Sequence, residues 1–388
     1  MVIVISAMGK TTNGLEAILE ESRNQNGNYL ELIENLRKEH LAILDQLFDD
    51  ADHEIYSVVS ELFATVNNAI IKHGAKDYNF IYDQVISIGE LVSTCIVSSW
   101  LNRNGIENQW VDIRNLLKTD STYREAEVDL NRSKKNCYKT FNKDLSKIFI
   151  TQGFIGSDDS GFTTTLGREG SDYTAALLAN FLNAENITLW KDVDGIYNAD
   201  PARFSKIEKI NDLDYEEVIE LTYYGAKVIH PKTIKPLYDK KIPLYVKSFN
   251  SPDQAGTRVS KMESRMLMLP FIIILDEQIL FSVSKKDLSF VSEIDLRYLF
   301  EQLHLYRVNV NLMQHSAISF SFCVDTPKGK SINELVSKLD EGFNVLYNNN
   351  LQLITIRNYT HQLIEELTVN KTILVEQRSR HTAQFIIA

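Results

Sequence analysis

The sequence predicts an α/β chain in two parts: a mainly parallel sheet covered by helices on both faces, then a smaller α+β region. Three observations carry that reading. Short apolar strands alternate with helical segments as far as about residue 248, as they do when parallel strands are joined by crossover helices. The turn-rich stretch Asn250-Ser-Pro-Asp-Gln-Ala-Gly-Thr257 is the best domain boundary in the chain. Beyond it a weak repeat emerges: Leu280-Phe-Ser-Val-Ser284 returns as Leu353-Ile-Thr-Ile-Arg357, and Gln314-His-Ser316 as Gln377-Arg-Ser379. The repeat implies two βαββ units packed together, the second with a shorter helix and stopping before a closing one.

Bulk properties set limits on partners. With 388 residues, two or three domains are expected, and 44% apolar with 24% charged residues is the profile of a globular protein. A net charge of −11, spread along the chain, disfavours nucleic acid or an anionic membrane as partner. Cys95, Cys137 and Cys323 are far apart and odd in number. They suit neither a disulfide framework nor a zinc site, so a reducing cytoplasm is expected. The longest apolar run, 266–275, is short and contains Pro270, so no membrane span is expected.

Taken in order, the chain opens on a buried-type strand, 2–6, and the turn Ala7-Met-Gly-Lys-Thr-Thr-Asn13. A charged helical region covers 15–74, broken near Asp49. In it Ile55, Val58, Val59, Leu62, Phe63 and Val66 recur at helical spacing. Val85-Ile-Ser-Ile-Gly-Glu90 leads into another helix, with Gly89 read as a loop glycine and Glu90 as a solvated or capping carboxylate. Residues 110–114 read as a strand and 131–144, polar and basic, as a loop. The strand at 147–150 enters Thr151-Gln-Gly-Phe-Ile-Gly, and a Gly- and hydroxyl-rich loop follows: Thr163-Thr-Thr-Leu-Gly-Arg-Glu-Gly-Ser-Asp172. A helix over 173–182, a strand over 187–190 and a polar turn complete this central stretch. Further on come a helix over 214–223 and a strand over 242–247. In the last region, strands are expected over 279–284, 308–313 and 317–325. The helix over 291–305 has Val291, Ile294, Leu299 and Leu303 inward, and the strand over 317–325 has Ile318, Phe320, Phe322 and Val324 on one face.

The chemistry gathers at the helix after the Gly/Thr/Ser loop. Ser171 or Asp172 is expected to cap it, and its first-turn N–H groups and dipole make an anion site that Gly167 and Gly170 leave open. Arg168 suits a bidentate carboxylate or phosphate partner and Lys227 a phosphate oxygen. No P-loop, dinucleotide fingerprint or zinc motif is present, so phosphoryl transfer by positioning and charge neutralisation is the chemistry these residues can supply.

Those motifs, with Trp190-Lys-Asp-Val-Asp-Gly-Ile-Tyr197 and Gly225-Ala-Lys-Val-Ile-His-Pro231, closely resemble aspartate kinases, over nearly the whole chain. The resemblance implies a three-layer α/β/α amino acid kinase fold over 1–258, divided into an aspartate-side lobe (1–150) and a nucleotide-side lobe (151–258). A regulatory region of α+β, ferredoxin-like tandem ACT domains over 259–388 completes it. It implies ATP-dependent phosphorylation of the aspartate side chain, the first step towards lysine, threonine and methionine. Ser6, Ala7, Thr12, Glu90, Phe154, Arg168, Ser171 and Asp172 would form the aspartate site, with Arg168 on the α-carboxylate and Glu90 near the ammonium. Lys191, Asp192, Tyr197 and Lys227 would bind ATP, with Mg²⁺ held by phosphates and water rather than by a protein cage. Asp172, Arg168 and Lys227 would be the catalytic set. An amino-acid effector, lysine by first preference, would bind at Asp287, Ser289, Phe290, Val291, Asn309, Val310 and Asn311, and a homodimer would form through the ACT region.

The sequence departs from the family pattern in three places. The Lys-Phe-Gly-Gly-Thr-Ser strand with which the family begins is absent, so a truncated or displaced start is expected. Glu169 stands where many relatives carry glycine. Arg203 is one place later than the usual Asp-Pro-Arg, leaving its ATP contact doubtful. Two rival readings stay open: a catalytically impaired amino-acid sensor, and an amino acid kinase acting on another acid.

Overall fold

The computed structural model describes residues 1–24, 27–50, 53–74, 76–141, 147–226, 229–262, 269–287, 289–306, 308–326 and 332–388. Two compact units emerge, 1–194 with 229–261, and 195–228 with 262–388.

In the first unit, Ile148–Gln152 lies between Val2–Ile5 and Asn108–Val111, all parallel. A second parallel pair joins Ile187–Lys191 to Leu244–Ser248, with Thr257–Ser260 antiparallel beside the latter. Five helices, Thr11–Glu21, Tyr29–Leu47, Ile55–His73, Tyr78–Ile86 and Ile88–Arg103, supply most of one large apolar core. The periodicity at 55–66 is that of an inward stripe: Ile55, Val59, Phe63 and Val66 are buried, with Val58 and Leu62 half-buried at its margin. Tyr78–Arg103 is long and apolar enough to cross a membrane by length and composition, and 83% of its apolar 18-residue window is buried inside the structure.

Several expectations need correction here. Residues 131–144 were expected as a loop, but Leu130–Phe141 is a helix. Its buried stripe is only Ser133, Cys137 and Phe141, four residues apart, so the polar majority hid the period. Gly89 is inside a helix rather than in a loop. It is there for close approach: a Cβ would sit 3.0 Å from the Ala7 Cβ and 3.3 Å from the Thr11 Cγ2. A two-stranded hairpin, Ile155–Ser157 with Thr163–Thr165, precedes the Gly-rich loop and was not anticipated.

The second unit carries a six-stranded antiparallel sheet. Its order is Val310–His315, Ser319–Asp325, Phe271–Lys285, Phe343–Arg357, Thr382–Ile387, Ile373–Arg378. The opening strands of the two sequence repeats are therefore central neighbours, each fifteen residues long. Helices Glu293–Leu305, Ile332–Asp340 and His361–Thr368 complete the two βαββ units. A capping box fixes the first of these, Ser292 accepting from the Asp295 N–H while Asp295 accepts from that of Ser292. Val291, Leu299 and Leu303 are buried as expected, but Ile294 is 71% exposed. Five residues before Leu299, it falls about 140° away round the helix. Ile318 is also exposed, because the strand begins one residue after it.

Candidate functional site

Every contact in the site's frame begins at the end of the central parallel strand. Gly153 donates its N–H to Ile5 O at 3.2 Å, bringing the chain leaving Ile148–Gln152 beside the Ser6 turn. A Cβ at Gly153 would lie 2.5 Å from the Cα of Ser171, so only glycine lets the two backbones meet. Phe154 is folded back with φ 67°, its N–H donated to Thr174 Oγ1 at 3.1 Å, and its ring closes against Gly170. Ser6, Phe154 and Ser171 therefore converge on one end of the helix Gly170–Leu182.

That helix begins differently from expectation. Ser171 and Asp172 lie inside its first turn, and the capping position is Glu169, in the left-handed region at φ 54° without a side-chain cap bond. The Glu169 carboxylate instead accepts the His230 backbone N–H at 2.8 Å. His230 itself caps the helix Pro231–Lys240, accepting from the Lys232 N–H. The extra negative charge at 169 is thus engaged by a second helix start.

Asp172 pairs with Lys191 Nζ at 2.6 Å. Burial pushes the Asp172 carboxyl up from its usual range, against the pull of Lys191 and with a contribution from Glu169. Arg168, following Gly167 (φ 79°), is exposed and makes no hydrogen bond or ion pair with a described residue. Asp192 is exposed beside Lys191.

Glu90 is not the solvated carboxylate expected from its neighbourhood. It is 4% exposed, on the helix that Gly89 lets pack against the Ser6 turn, and its Oε2 has no partner among the described residues. Burial drives its pKa up to about 7, with the backbone amides of Glu90 and Ala7 pulling it back. A buried carboxylate oxygen left open is a site for a cation.

Asp83 was missed in the sequence. It accepts from the Arg124 N–H, the Thr165 N–H and the Thr165 hydroxyl, tying the hairpin that leads to Arg168 onto the helix Tyr78–Ile86. Burial raises it to about 6, against the pull of these donors. An aspartate among Phe80, Ile81, Tyr82, Val85 and Ile86 was the available signal.

The remaining candidates belong to the second unit or fall outside the described residues. Tyr197 sits in a small hairpin opposite Lys209. Lys227 lies outside the described residues, as does Leu288 within the candidate effector loop. Arg203 is engaged by Asp276. In the effector set, Asp287 accepts from the Ser289 N–H and hydroxyl, Val291 is buried, and Phe290 is 75% exposed. Asn309 is exposed at the approach to the strand that Val310 opens. Asn311 donates to Gln278 Oε1 and Asp325 Oδ1, both at 2.8 Å, so its amide is turned to the sheet. Among the described residues no three His, Cys, Asp or Glu side chains are grouped to hold a metal.

Residues 1–248 match the model of the amino acid kinase family. The chain is 30% identical over 337 residues to the lysine-sensitive aspartokinase 3 of Escherichia coli, covering 86% of this chain and 73% of that protein. It is 32% identical over 264 residues to a chloroplastic bifunctional aspartokinase/homoserine dehydrogenase of Arabidopsis thaliana, spanning 66% of this chain but only 28% of that protein. The crystal structure of E. coli aspartokinase III with aspartate and ADP (R-state) superposes with a TM-score of 0.84 at 28% identity, over 100% of this chain and 89% of that one. The same enzyme with lysine and aspartate (T-state) gives 0.83 at 28% identity, over 99% and 88%.

Proposed function

Because this chain belongs to the amino acid kinase family, we propose that the cleft built by Ser6, Glu90, Phe154, Ser171 and Asp172 is the substrate site of an aspartate kinase. The reaction is ATP-dependent phosphorylation of the aspartate side-chain carboxylate, which opens the route to lysine, threonine and methionine. The observation that carries the amino-acid reading is the buried Glu90 Oε2, unpartnered among the described residues, which can receive the substrate ammonium. Arg168, without a partner among the described residues, takes the α-carboxylate as a bidentate pair. The side-chain carboxylate, ionised at neutral pH, attacks the γ-phosphorus with no base required. Charge developing on the transferring group is met by N–H groups opening the helix Gly170–Leu182 and by nearby cations.

On the nucleotide side the reading assigns Lys191, Asp192, Tyr197 and Lys227, with Lys227 at the phosphates. Asp172 holds Lys191 in place through their ion pair. Mg²⁺ would be held by the nucleotide's own phosphates and water. Residues 1–258 act as the catalytic region and 259–388 as the ACT regulatory region. There an amino acid, lysine by preference, binds at 287–291 and 309–311, and a second copy of the chain pairs with the sheet. Exposed Phe290, Met313, Leu346 and Tyr347 support that pairing. Three unpaired cysteines favour the cytoplasm.

A coupled assay of ADP release tests the reading. Turnover that depends on aspartate, is at least tenfold slower with glutamate, and loses aspartate affinity on Arg168→Ala supports it. Equal use of glutamate, or an Arg168→Ala enzyme with unchanged KM for aspartate, overturns it.

A further inference from the structure

The turn that carries Ser6, Ala7 and Thr12 is held from behind by a residue with no place in the chemistry. His40, on the helix Tyr29–Leu47, is 2% exposed. Its Nε2 lies 3.0 Å from Thr11 Oγ1, its Nδ1 2.8 Å from Leu36 O, and its ring packs at 5.1 Å on Phe63. Nε2 thus faces the Thr11 hydroxyl and Nδ1 a carbonyl of its own helix, so the ring bridges that helix to the turn. The same hydroxyl donates to Met8 O at 2.6 Å, inside the turn, where the Thr11 N–H is bonded as well.

Thr11 is β-branched, so fixing its hydroxyl also fixes its methyl. The methyl is aimed at Gly89, where even a Cβ would lie 3.3 Å from it. Gly89 immediately precedes Glu90. The Thr11 rotamer thus sets two things together: the curl of the turn through Met8 O, and the distance between that turn and the helix bearing Glu90. The capping residue Lys10 offers no side-chain bond to this helix start, so Thr11 and His40 supply the polar ties there.

We propose that His40 is a positioning residue for the amino-acid substrate: through Thr11 it fixes the Ser6–Thr12 turn against Glu90, and so sets aspartate affinity without touching aspartate. The inference rests on the aspartate kinase reading above. A buried histidine that served stability alone would lower the melting temperature and leave the folded enzyme's affinities as they were. One that positions the turn acts on aspartate and not on ATP.

The test uses the full chain, with aspartate binding measured by calorimetry beside steady-state turnover. Wild type, His40→Leu, Thr11→Val, Thr11→Ser and the double variant His40→Leu/Thr11→Val are compared, with Leu44→Ala as a control on the same helix, since Leu44 is fully buried away from the turn. Loss of one buried hydrogen bond at the turn is expected to weaken aspartate binding and raise its KM by about tenfold in His40→Leu and Thr11→Val. KM for ATP should stay within about twofold. Thr11→Ser, which keeps the hydroxyl but loses the methyl against Gly89, should fall between wild type and Thr11→Val. The double variant should be no worse than the weaker single one, because both remove the same contact. Leu44→Ala should melt earlier with unchanged aspartate affinity. Aspartate affinity within twofold of wild type in folded His40→Leu and Thr11→Val, or additive losses in the double variant, overturns the proposal. A wild-type chain that binds no aspartate would instead overturn the reading on which it rests.

Discussion

Glu90 makes the most demanding prediction, because its role requires a charge that its surroundings oppose. With the pKa raised to about 7 in the free protein, the carboxyl is about half ionised at neutral pH. Aspartate brings an ammonium group, which needs the ionised form, so binding must expel the proton. Apparent KM for aspartate then scales as one plus the ratio of protonated to ionised Glu90. It is flat above about pH 8, about twofold higher at pH 7 and about tenfold higher at pH 6. Calorimetry at pH 7 in buffers of different ionisation enthalpy should report release of about half a proton per aspartate bound. The same group acts on stability with a definite sign. The folded state binds the proton more tightly than the unfolded chain, so the ligand-free protein loses stability as pH rises between about 4.5 and 7. The loss is at most about 3 kcal/mol. Glu90→Gln should remove the pH dependence of KM, and from the stability profile only the Glu90 share, leaving that of Asp83, while raising KM throughout. Asp83, raised to about 6, titrates nearby in pH, so Asp83→Asn is the control whose KM profile must keep its slope near pH 7. A KM for aspartate that is level between pH 6 and 8, or a Glu90→Gln profile of unchanged slope, refutes the assignment.

Three further outcomes follow from the packing. Gly153→Ala forces a Cβ to within 2.5 Å of the Ser171 backbone, so it should cost about 1–3 kcal/mol by thermal unfolding and raise KM for aspartate, because Ser171 and Phe154 must move apart. Arg357 makes a two-pronged pair with Glu217 at 2.7 and 2.9 Å, and Glu217 is 4% exposed. Arg357→Met should therefore destabilise by about 3–5 kcal/mol in denaturant titration, with much of the loss recovered in Arg357→Met/Glu217→Leu, where no buried charge is stranded. Lys191→Met strips Asp172 of its cation and should lift the Asp172 pKa further; an Asp172 carboxyl resonance that titrates at higher pH in the variant than in the wild type checks it.

The parts of the fold that repeat a pattern were legible before any coordinates. Strand–helix alternation gave the parallel sheets of the first unit, and the echo of Leu280–Ser284 in Leu353–Arg357 gave the paired βαββ units. Helix 130–141 was not legible, because a stripe of Ser133, Cys137 and Phe141 is too thin to outweigh six charged or amide neighbours in composition alone. Neither was the full length of Phe271–Lys285, whose first half reads only as an apolar run after Pro270.

The site divides along the same physical line. Motif order along the chain was enough to nominate Arg168, Ser171, Asp172 and Lys191, since the loop, the helix and the next strand that carry them are consecutive. What the order of residues cannot convey is how a polar group is partnered when its partner is far away in sequence. Asp83 meets Thr165 across eighty-two positions, His40 meets Thr11 across twenty-nine, and Glu169 meets the His230 amide across sixty-one. In sequence each looks like a surface residue or a lapse in an apolar pattern. In the fold each holds a backbone segment that the nominated residues stand on, and Glu90 is charged with difficulty because it is buried on the helix that Gly89 lets pack against Ala7 and Thr11. The proposed substrate site is thus specified twice: by polar groups assigned to the ligand, and by buried ones whose hydrogen bonds leave those groups a single place to be.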